Sequence, residues 1–496
     1  MNRYLSNFLS VLAILLVVTL LILTCSCGSK NNKSDVGYRW DAPVILSTNR
    51  SGNAIRPYID IDKSGNALAV WQQSDNGTNN IYANYYTQET GWQGAKRIEN
   101  FDTRNGQNPK FTFNNSGEGT AIWSQFTGTD GNNIVINDFS VEDGFVPENA
   151  TRIDTVPNSA TTIRGNPAEI FYHGDRRIAV WNQYDYVDAG NFQANTPLIF
   201  SAIESTEGMW GDSMIVNEYT SYDENTVVNA GFLDVAISET SSVCATWTEF
   251  RMNDFGTGTV VIARYDEDYG WNDWTYLTDY NTHGSAAQKK IEYIDDEYAI
   301  LVWQDFFGSN LFYSLYDHST DIWSNPISIK PGTATNTATN PEIAKDGFGN
   351  IMVIWTYRSD DYSYVPQTRS YLLSNNSWEE PDIHLEEETS SVRPYIAMDG
   401  EGNALASWGQ TVAPYSSDPD FNYARQLYSR VYNNNSGWQQ VTNHDQGNNA
   451  EIFDSYLADD TANSMAKFDS EGNAMLIWTV WDGELIKIYA QRLIKN

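Results

Sequence analysis

The sequence predicts an all-β chain folded as an eight-bladed β-propeller of four-stranded antiparallel blades, closed by an N-terminal strand that completes the last blade. Three observations predict it. A unit ending in Trp recurs eight times. Each unit has room for four short strands separated by turn residues. The last unit stops one strand short, while a matching strand stands near the chain's beginning.

The repeat is clearest in Asp62–Trp71, Asp399–Trp408 and Asp469–Trp478, where an acidic residue, a Gly-Asn pair and a run of small or branched apolar residues lead to Trp. Weaker copies end at Trp123, Trp181, Trp247, Trp303 and Trp355. In the first unit, 56–62, 67–73, 81–86 and 92–98 read as strands A to D. The acidic residue of the A–B turn can cap its own turn, and the Gly after it can adopt φ > 0. Aromatic residues open the later D strands: Phe145, Trp210, Trp271, Trp323, Trp378 and Trp438. After Trp478 only one strand remains, 486–493, and 38–46 has the pattern of the missing D strand. Such an exchange closes a ring and removes a sheet edge. Fully burying a Trp contributes at most ~4–6 kcal/mol, so the repeated Trp reads as core between blades.

Length alone would suggest about three domains, but a repeat architecture overrides that prior. Aromatic residues make up 14% of the 496 residues, so there is ample core material. The net charge of −34 is then a surface property, which excludes the basic footprint of a nucleic-acid binder. Acidic loops such as Asp75-Asn76-Gly77 and Asp130-Gly131-Asn132 leave Ca²⁺ as the one candidate cofactor. None has EF-hand spacing, and solvated turns are the simpler reading. The five histidines form no metal-binding motif, and there is neither a G-x-S-x-G elbow nor a P-loop. Cys244 stands alone in the body, so no disulfide framework is expected.

Arg3 followed by the apolar run 8–23 reads as a signal peptide. The stretch Leu23-Thr24-Cys25-Ser26-Cys27-Gly28 resembles a bacterial lipobox, with Cys27 the favoured lipidation site and Cys25 the alternative. That resemblance implies a signal peptide over 1–26, a tether over 27–37, the propeller over 38–496, and a lipid-anchored, outer-membrane location. An uncleaved anchor helix is the competing reading of the same segment.

B–C and D–A connections share one face, and those at 183–197, 410–423 and 443–463 are long. Loops on a rigid scaffold commonly carry function. Two polar sets converge on this face. One precedes Pro at the start of strand A: Arg56, Asn108, Asn166, Asn340 and Arg393, with Asn229 and Asn463 in the same place without Pro. The other stands two residues after the strand B Trp: Gln73, Gln125, Gln183, Glu249, Asp305 and Gln410. Repetition favours inter-blade hydrogen bonding for both sets, and the two arginines are the better ligand candidates. Among these, Glu249 and Asp305 are the weak candidates for catalytic carboxylates.

The repeat resembles secreted bacterial propellers of the sialidase-like, BNR-repeat kind. It lacks their S-x-D-x-G-x-x-W box, because the acidic Gly turn lies between A and B rather than C and D. The leading expectation is a non-enzymatic binding module for a glycan or an envelope protein. A glycoside hydrolase or polysaccharide lyase is the first alternative, and a scaffold for outer-membrane assembly the second. Fold alone selects none of them.

Overall fold

The computed structural model describes residues 37–48, 52–101, 104–126, 132–155, 168–174, 176–188, 193–217, 228–240, 242–251, 254–266, 270–272, 274–278, 286–305, 310–330, 337–358, 363–380, 383–386, 391–414, 423–444, 464–482 and 484–496. Residues 39–495 form one compact unit. The signal peptide, Cys25, Cys27, the tether up to residue 36, Asp130, Gly131, Asn166, and residues 445–463 of the long connection, with Asn463, lie outside the described residues.

Eight antiparallel sheets follow one another along the chain, each winding outward from the axis. Their innermost strands are Ala54–Ile61, Gly106–Phe113, Glu169–His173, Val228–Ile237, Ala286–Tyr293, Thr337–Lys345, Ser391–Met398 and Ser464–Phe468, which define blades 1 to 8. Each innermost strand neighbours the next, and blade 8 returns to blade 1, so the ring is closed. In blade 1 the remaining strands are Ala67–Asp75, Thr78–Thr87 and an outermost strand in two pieces, Gly91–Trp92 and Lys96–Arg97.

Closure takes the predicted form. Tyr38–Trp40 and Val44–Ile45 lie against Ile486–Lys495, with Val44 opposite Ala490 and Ile45 opposite Tyr489. The Asp41 and Leu46 backbone N–H groups donate to the Arg492 and Ile488 carbonyls, at 2.9 and 2.8 Å.

The eight second-strand Trp side chains are essentially inaccessible to solvent. The core is not inside a blade but between blades. Trp71, Ile59 and Ala69 of blade 1 pack with Met475, Ile477 and Ile488 of blade 8, and Leu46 of the closing strand joins them. Six outer-strand aromatics face an aromatic of the third strand, as Trp92 faces Tyr86 and Trp438 faces Tyr432, while Trp210 is opposite Glu204.

The A–B turns lock as their sequence suggests. Asp62 Oδ1 accepts the backbone N–H of Ser64 and Asn66, and Oδ2 accepts the Asn66 amide, all at 2.8 Å. Asp346, Asp399 and Asp469 repeat the arrangement. A Cβ on Gly402, at φ +84°, would lie 3.2 Å from Asp346 Oδ2 of the preceding blade, and the turns at Gly65, Gly117 and Gly472 abut a neighbour's carboxylate in the same way.

Two loop expectations are corrected. The connection read over 183–197 is mostly strand, because Gln183 pairs with Leu198 and pairing continues outward to Asp188 and Gln193. The one read over 410–423 is shorter too, with strands running to Pro414 and from Tyr423. Runs such as Tyr184-Asp185-Tyr186-Val187 are rich in β-formers, and that preference carries the hairpin on past the core.

Candidate functional site: the axial channel and its mouth

Four of the pre-proline positions share one backbone device, which in blade 4 falls on Phe232, before Leu233, and not on Asn229, three residues earlier, where the sequence placed it. In blades 1, 2, 4, 6 and 7 the innermost strand bulges opposite the second-strand Trp. The first residue of each bulge is left-handed: Arg56, Asn108, Phe232, Asn340 and Arg393, with φ between 49° and 56°. That region is costly for a residue with a side chain, by ~1–2 kcal/mol, and a following Pro restricts the residue before it further. Bulges re-aim side chains and concentrate next to sites. Here they form one mouth of the channel. Arg56 donates from Nη1 to Asn108 Oδ1 of the next blade, and the Asn340 N–H donates to Gln304 Oε1 at 2.6 Å.

The Gln set bonds first within its own strand, where inter-blade bonding was expected. Gln73, Gln125, Gln183 and Gln410 accept the indole N–H of the Trp two residues before them, at 2.8–3.1 Å. Gln73 and Gln125 also donate to Thr48 and to the Arg104 carbonyl, tying the incoming connection to the blade. Glu249 takes the same place in blade 4, its two oxygens accepting from Trp247 Nε1 (2.9 Å) and the Tyr276 hydroxyl (3.1 Å). Asp305 accepts from Asn310 Nδ2 at 2.7 Å.

One ring was not recognised in the sequence. The residue opposite the position just before each second-strand Trp is, from blade 1 to blade 8, Tyr58, Lys110, Glu169, Asp234, Lys290, Glu342, Tyr395 and Met465. Two residues further along the innermost strand stand Asp60, Glu292 and Lys467. These groups act on one another electrostatically across the ring. Lys467 of blade 8 interacts with Glu292 of blade 5, and Asp60 of blade 1 with Tyr395 of blade 7. The signal was available at the residue directly after the polar-Pro pairs of blades 1, 2, 6 and 7, as in Arg56-Pro57-Tyr58 and Asn340-Pro341-Glu342.

Most of the charges are matched. Lys110 pairs with Glu169, Lys290 with Glu342 at 3.3 Å, and Lys345 with Glu292 at 3.7 Å. Asp234 accepts the Ile291 N–H at 2.9 Å and Asp60 the Phe113 N–H at 3.0 Å. Burial pushes the Asp60, Glu169 and Glu292 carboxyls above the usual range, against the pull of the nearby lysines. Burial alone would lower Lys467. Tyr58, Tyr395, Asp60 and Glu292 around it outweigh that and hold its ammonium above the ordinary value.

Among the described residues no group of three or more His, Cys, Asp or Glu side chains is placed to hold a metal ion. Asp75-Asn76-Gly77 is a hairpin turn, with Asn76 and Gly77 both left-handed and Asp75 paired with Thr78.

No family model matches the chain, and no curated protein matches it. Solved structures that resemble it include a protein of unknown function from Dyadobacter fermentans DSM 18053, at 13% identity over 80% of this chain and 98% of that one, TM-score 0.41. Others are the Penicillium chrysogenum α-L-arabinanase complexed with arabinobiose (12% identity, 64% and 94% covered, TM-score 0.40) and the leech intramolecular trans-sialidase (8% identity, 95% of each chain covered, TM-score 0.38). Likenesses of this order carry no argument about activity. The chain is, by its own strand pairing, an eight-bladed β-propeller.

Proposed function

We propose that the chain is a binding module, held on the cell envelope by a lipid on Cys27, and that it receives a glycan at the bulged mouth of its channel. One observation carries the reading. A single strained backbone geometry recurs at one register, yet presents Arg56, Asn108, Phe232, Asn340 and Arg393 in turn. Backbone strain held at one place by an over-determined scaffold is a feature of ligand clamps. The variety of side chains on that fixed geometry supports recognition rather than packing, since the packing positions nearby repeat as Trp. Neutral hydrogen-bonding Asn beside Arg suits hydroxyl-rich ligands.

The test is a glycan array probed with the full-length protein and with Arg56→Ala and Arg393→Ala. Binding that drops at least tenfold in both variants supports the mouth as the site. Binding unchanged in both removes it. Turnover of a bound glycan would replace the binding reading with the hydrolase one. Labelling of the expressed protein with a radioactive fatty acid, lost in Cys27→Ser, tests the anchor.

A further inference from the structure

Each blade turns on one face between its first and second strands and, blade 8 excepted, between its third and fourth. This turn face is opposite the mouth, because the innermost strands run from the bulges toward it. Among the described residues, the four most exposed large apolar side chains all stand there. Val141, Met209 and Ile322 lie at the outer turns of blades 2, 3 and 5, and Phe348 lies in the inner turn of blade 6. They are between 60% and 67% exposed, and no other large apolar side chain described exceeds 47%. Exposed apolar residues scattered singly are ordinary. These four share one face, and blades 2 and 6 stand opposite each other in the closed ring, so the contacts flank the axis and can meet a flat surface together.

The chain enters the propeller on the same face. The Asp41 N–H donates to the Arg492 carbonyl at 2.9 Å. Three residues on, the Lys495 N–H donates to Asn473 Oδ1 in the inner turn of blade 8 at 3.1 Å, and its ammonium bonds Glu401 in the inner turn of blade 7 at 2.7 Å. Residues 28–38 separate Cys27 from Arg39, a stretch that spans at most ~40 Å. A blade is about 33 Å tall, taking the 10 residues of Thr78–Thr87. A lipid on Cys27 therefore lets the turn face reach the bilayer directly. Bringing the mouth to the bilayer would consume nearly the whole tether in passing the rim.

We infer that the turn face rests on a zwitterionic lipid surface, with Val141, Met209, Ile322 and Phe348 entering the headgroup layer and the mouth turned away from the membrane. This rests on the proposed lipid anchor and adds the surface on which the anchored protein lies. Tethering makes the contact intramolecular, so apolar contacts too weak to hold a free protein suffice. Charge selects the lipid. Glu142 and Asp143 follow Val141, and Glu207 stands two residues before Met209, all three exposed. The negative potential of an anionic leaflet repels such groups, whereas a zwitterionic one carries no net charge to oppose them. A ligand of the mouth then arrives from the aqueous side, without passing between protein and bilayer.

The lipid-bearing protein on phosphatidylcholine vesicles tests this. A fluorophore is attached at Phe348→Cys or Met209→Cys on the turn face, or at Phe126→Cys, an exposed position at the mouth end of blade 2. Cys244 is buried and does not compete for the label. Phospholipid carrying a headgroup nitroxide should quench the first two severalfold more than the third. Val141→Asp with Ile322→Asp should remove most of the quenching at Phe348→Cys while the protein still floats with the vesicles. Anionic phosphatidylglycerol mixed into the vesicles should lower it too. Flotation with equal quenching at all three positions, or with quenching strongest at Phe126→Cys, overturns the docked face and leaves the anchor standing. Failure to float, with no fatty acid on the protein, overturns both.

Discussion

His444 and Trp40 meet edge to face, their ring centroids 4.6 Å apart and their planes at 83°. The contact joins blade 7 to the strand that closes blade 8. His444 Nε2 shares a 2.7 Å hydrogen bond with Ser429 Oγ, and Nδ1 shares another of 2.7 Å with Gln491 Oε1. Gln491 in turn donates from Nε2 to the Asp41 carbonyl at 2.6 Å. At the equivalent place the other blades carry apolar residues, among them Leu46, Ile98, Ile153, Val216 and Leu385, each with its backbone N–H on the third strand. A titratable ring thus sits where the ring of blades is fastened.

Burial lowers the His444 imidazole to about 4, opposed only by the Gln491 bond. The unfolded chain takes up this proton near pH 6.5, while the folded chain refuses it until about 4. Stability is therefore full above pH 6.5 and falls as the pH drops through that window, by roughly 3 kcal/mol from this group alone. Urea unfolding at pH 7.5, 6, 5 and 4.5 should show the decline. His444→Leu should flatten that part of the profile, while starting lower at pH 7.5 because Gln491 and Ser429 lose a buried partner.

The Trp–Gln bonds predict effects of opposite sign in different blades. Gln125→Leu leaves the Trp123 indole N–H buried without an acceptor, which costs about 1–3 kcal/mol. Among the described residues Trp478 Nε1 has no partner, and Val480 stands where blades 1, 2, 3 and 7 carry Gln. Val480→Gln supplies the acceptor and should raise the urea midpoint, by about 1 kcal/mol in stability. Equal destabilisation by both substitutions would refute the indole bond as the purpose of that position.

Gly402→Ala tests the contact between turns. Its φ of +84° strains any side chain, and the added Cβ would press on Asp346 Oδ2. A loss of about 1–2 kcal/mol is expected. Gly77→Ala, with a similar φ but nothing near its Cβ, should lose less. Thermal unfolding of the two variants side by side measures the contribution of the blade-to-blade contact.

Leu46→Ala probes the closure. Leu46 is buried between blades 8 and 1 with Trp71 and Ile488, so truncation should cost about 2–5 kcal/mol. Because the residue lies near the chain's start, a small effect would mean that the closing strand is dispensable. Trypsin digestion of the variant should release the N-terminal peptide ahead of global unfolding.

The sequence made the blades legible because a buried Trp and a capped turn are strong local signals that repeat. Closure was legible because a strand was missing at one end and a matching one present at the other. The channel was not. Lys110 and Glu169, or Lys290 and Glu342, are distant in sequence and look like ordinary polar positions of two unrelated strands. Only the common register, offset by the bulges, sets them opposite each other. The Gln set read equally well as site or scaffold, since nothing in Trp123-Ser124-Gln125 says that the amide folds back onto the indole. Arg56 and Arg393 were singled out as departures from the repeat, and they remain the strongest candidates at the mouth.

The hydrogen bond from Gln491 to Asp41 spans 450 residues. The first part of the propeller to leave the ribosome is thus among the last to find its place. Seven blades can form in order as the chain emerges, but the eighth must wait for its opening residues to return. Such a long-range pairing is slow, and it leaves an unpaired strand edge open to other chains until it is made. Segment 38–46 is accordingly where assistance during folding would matter most.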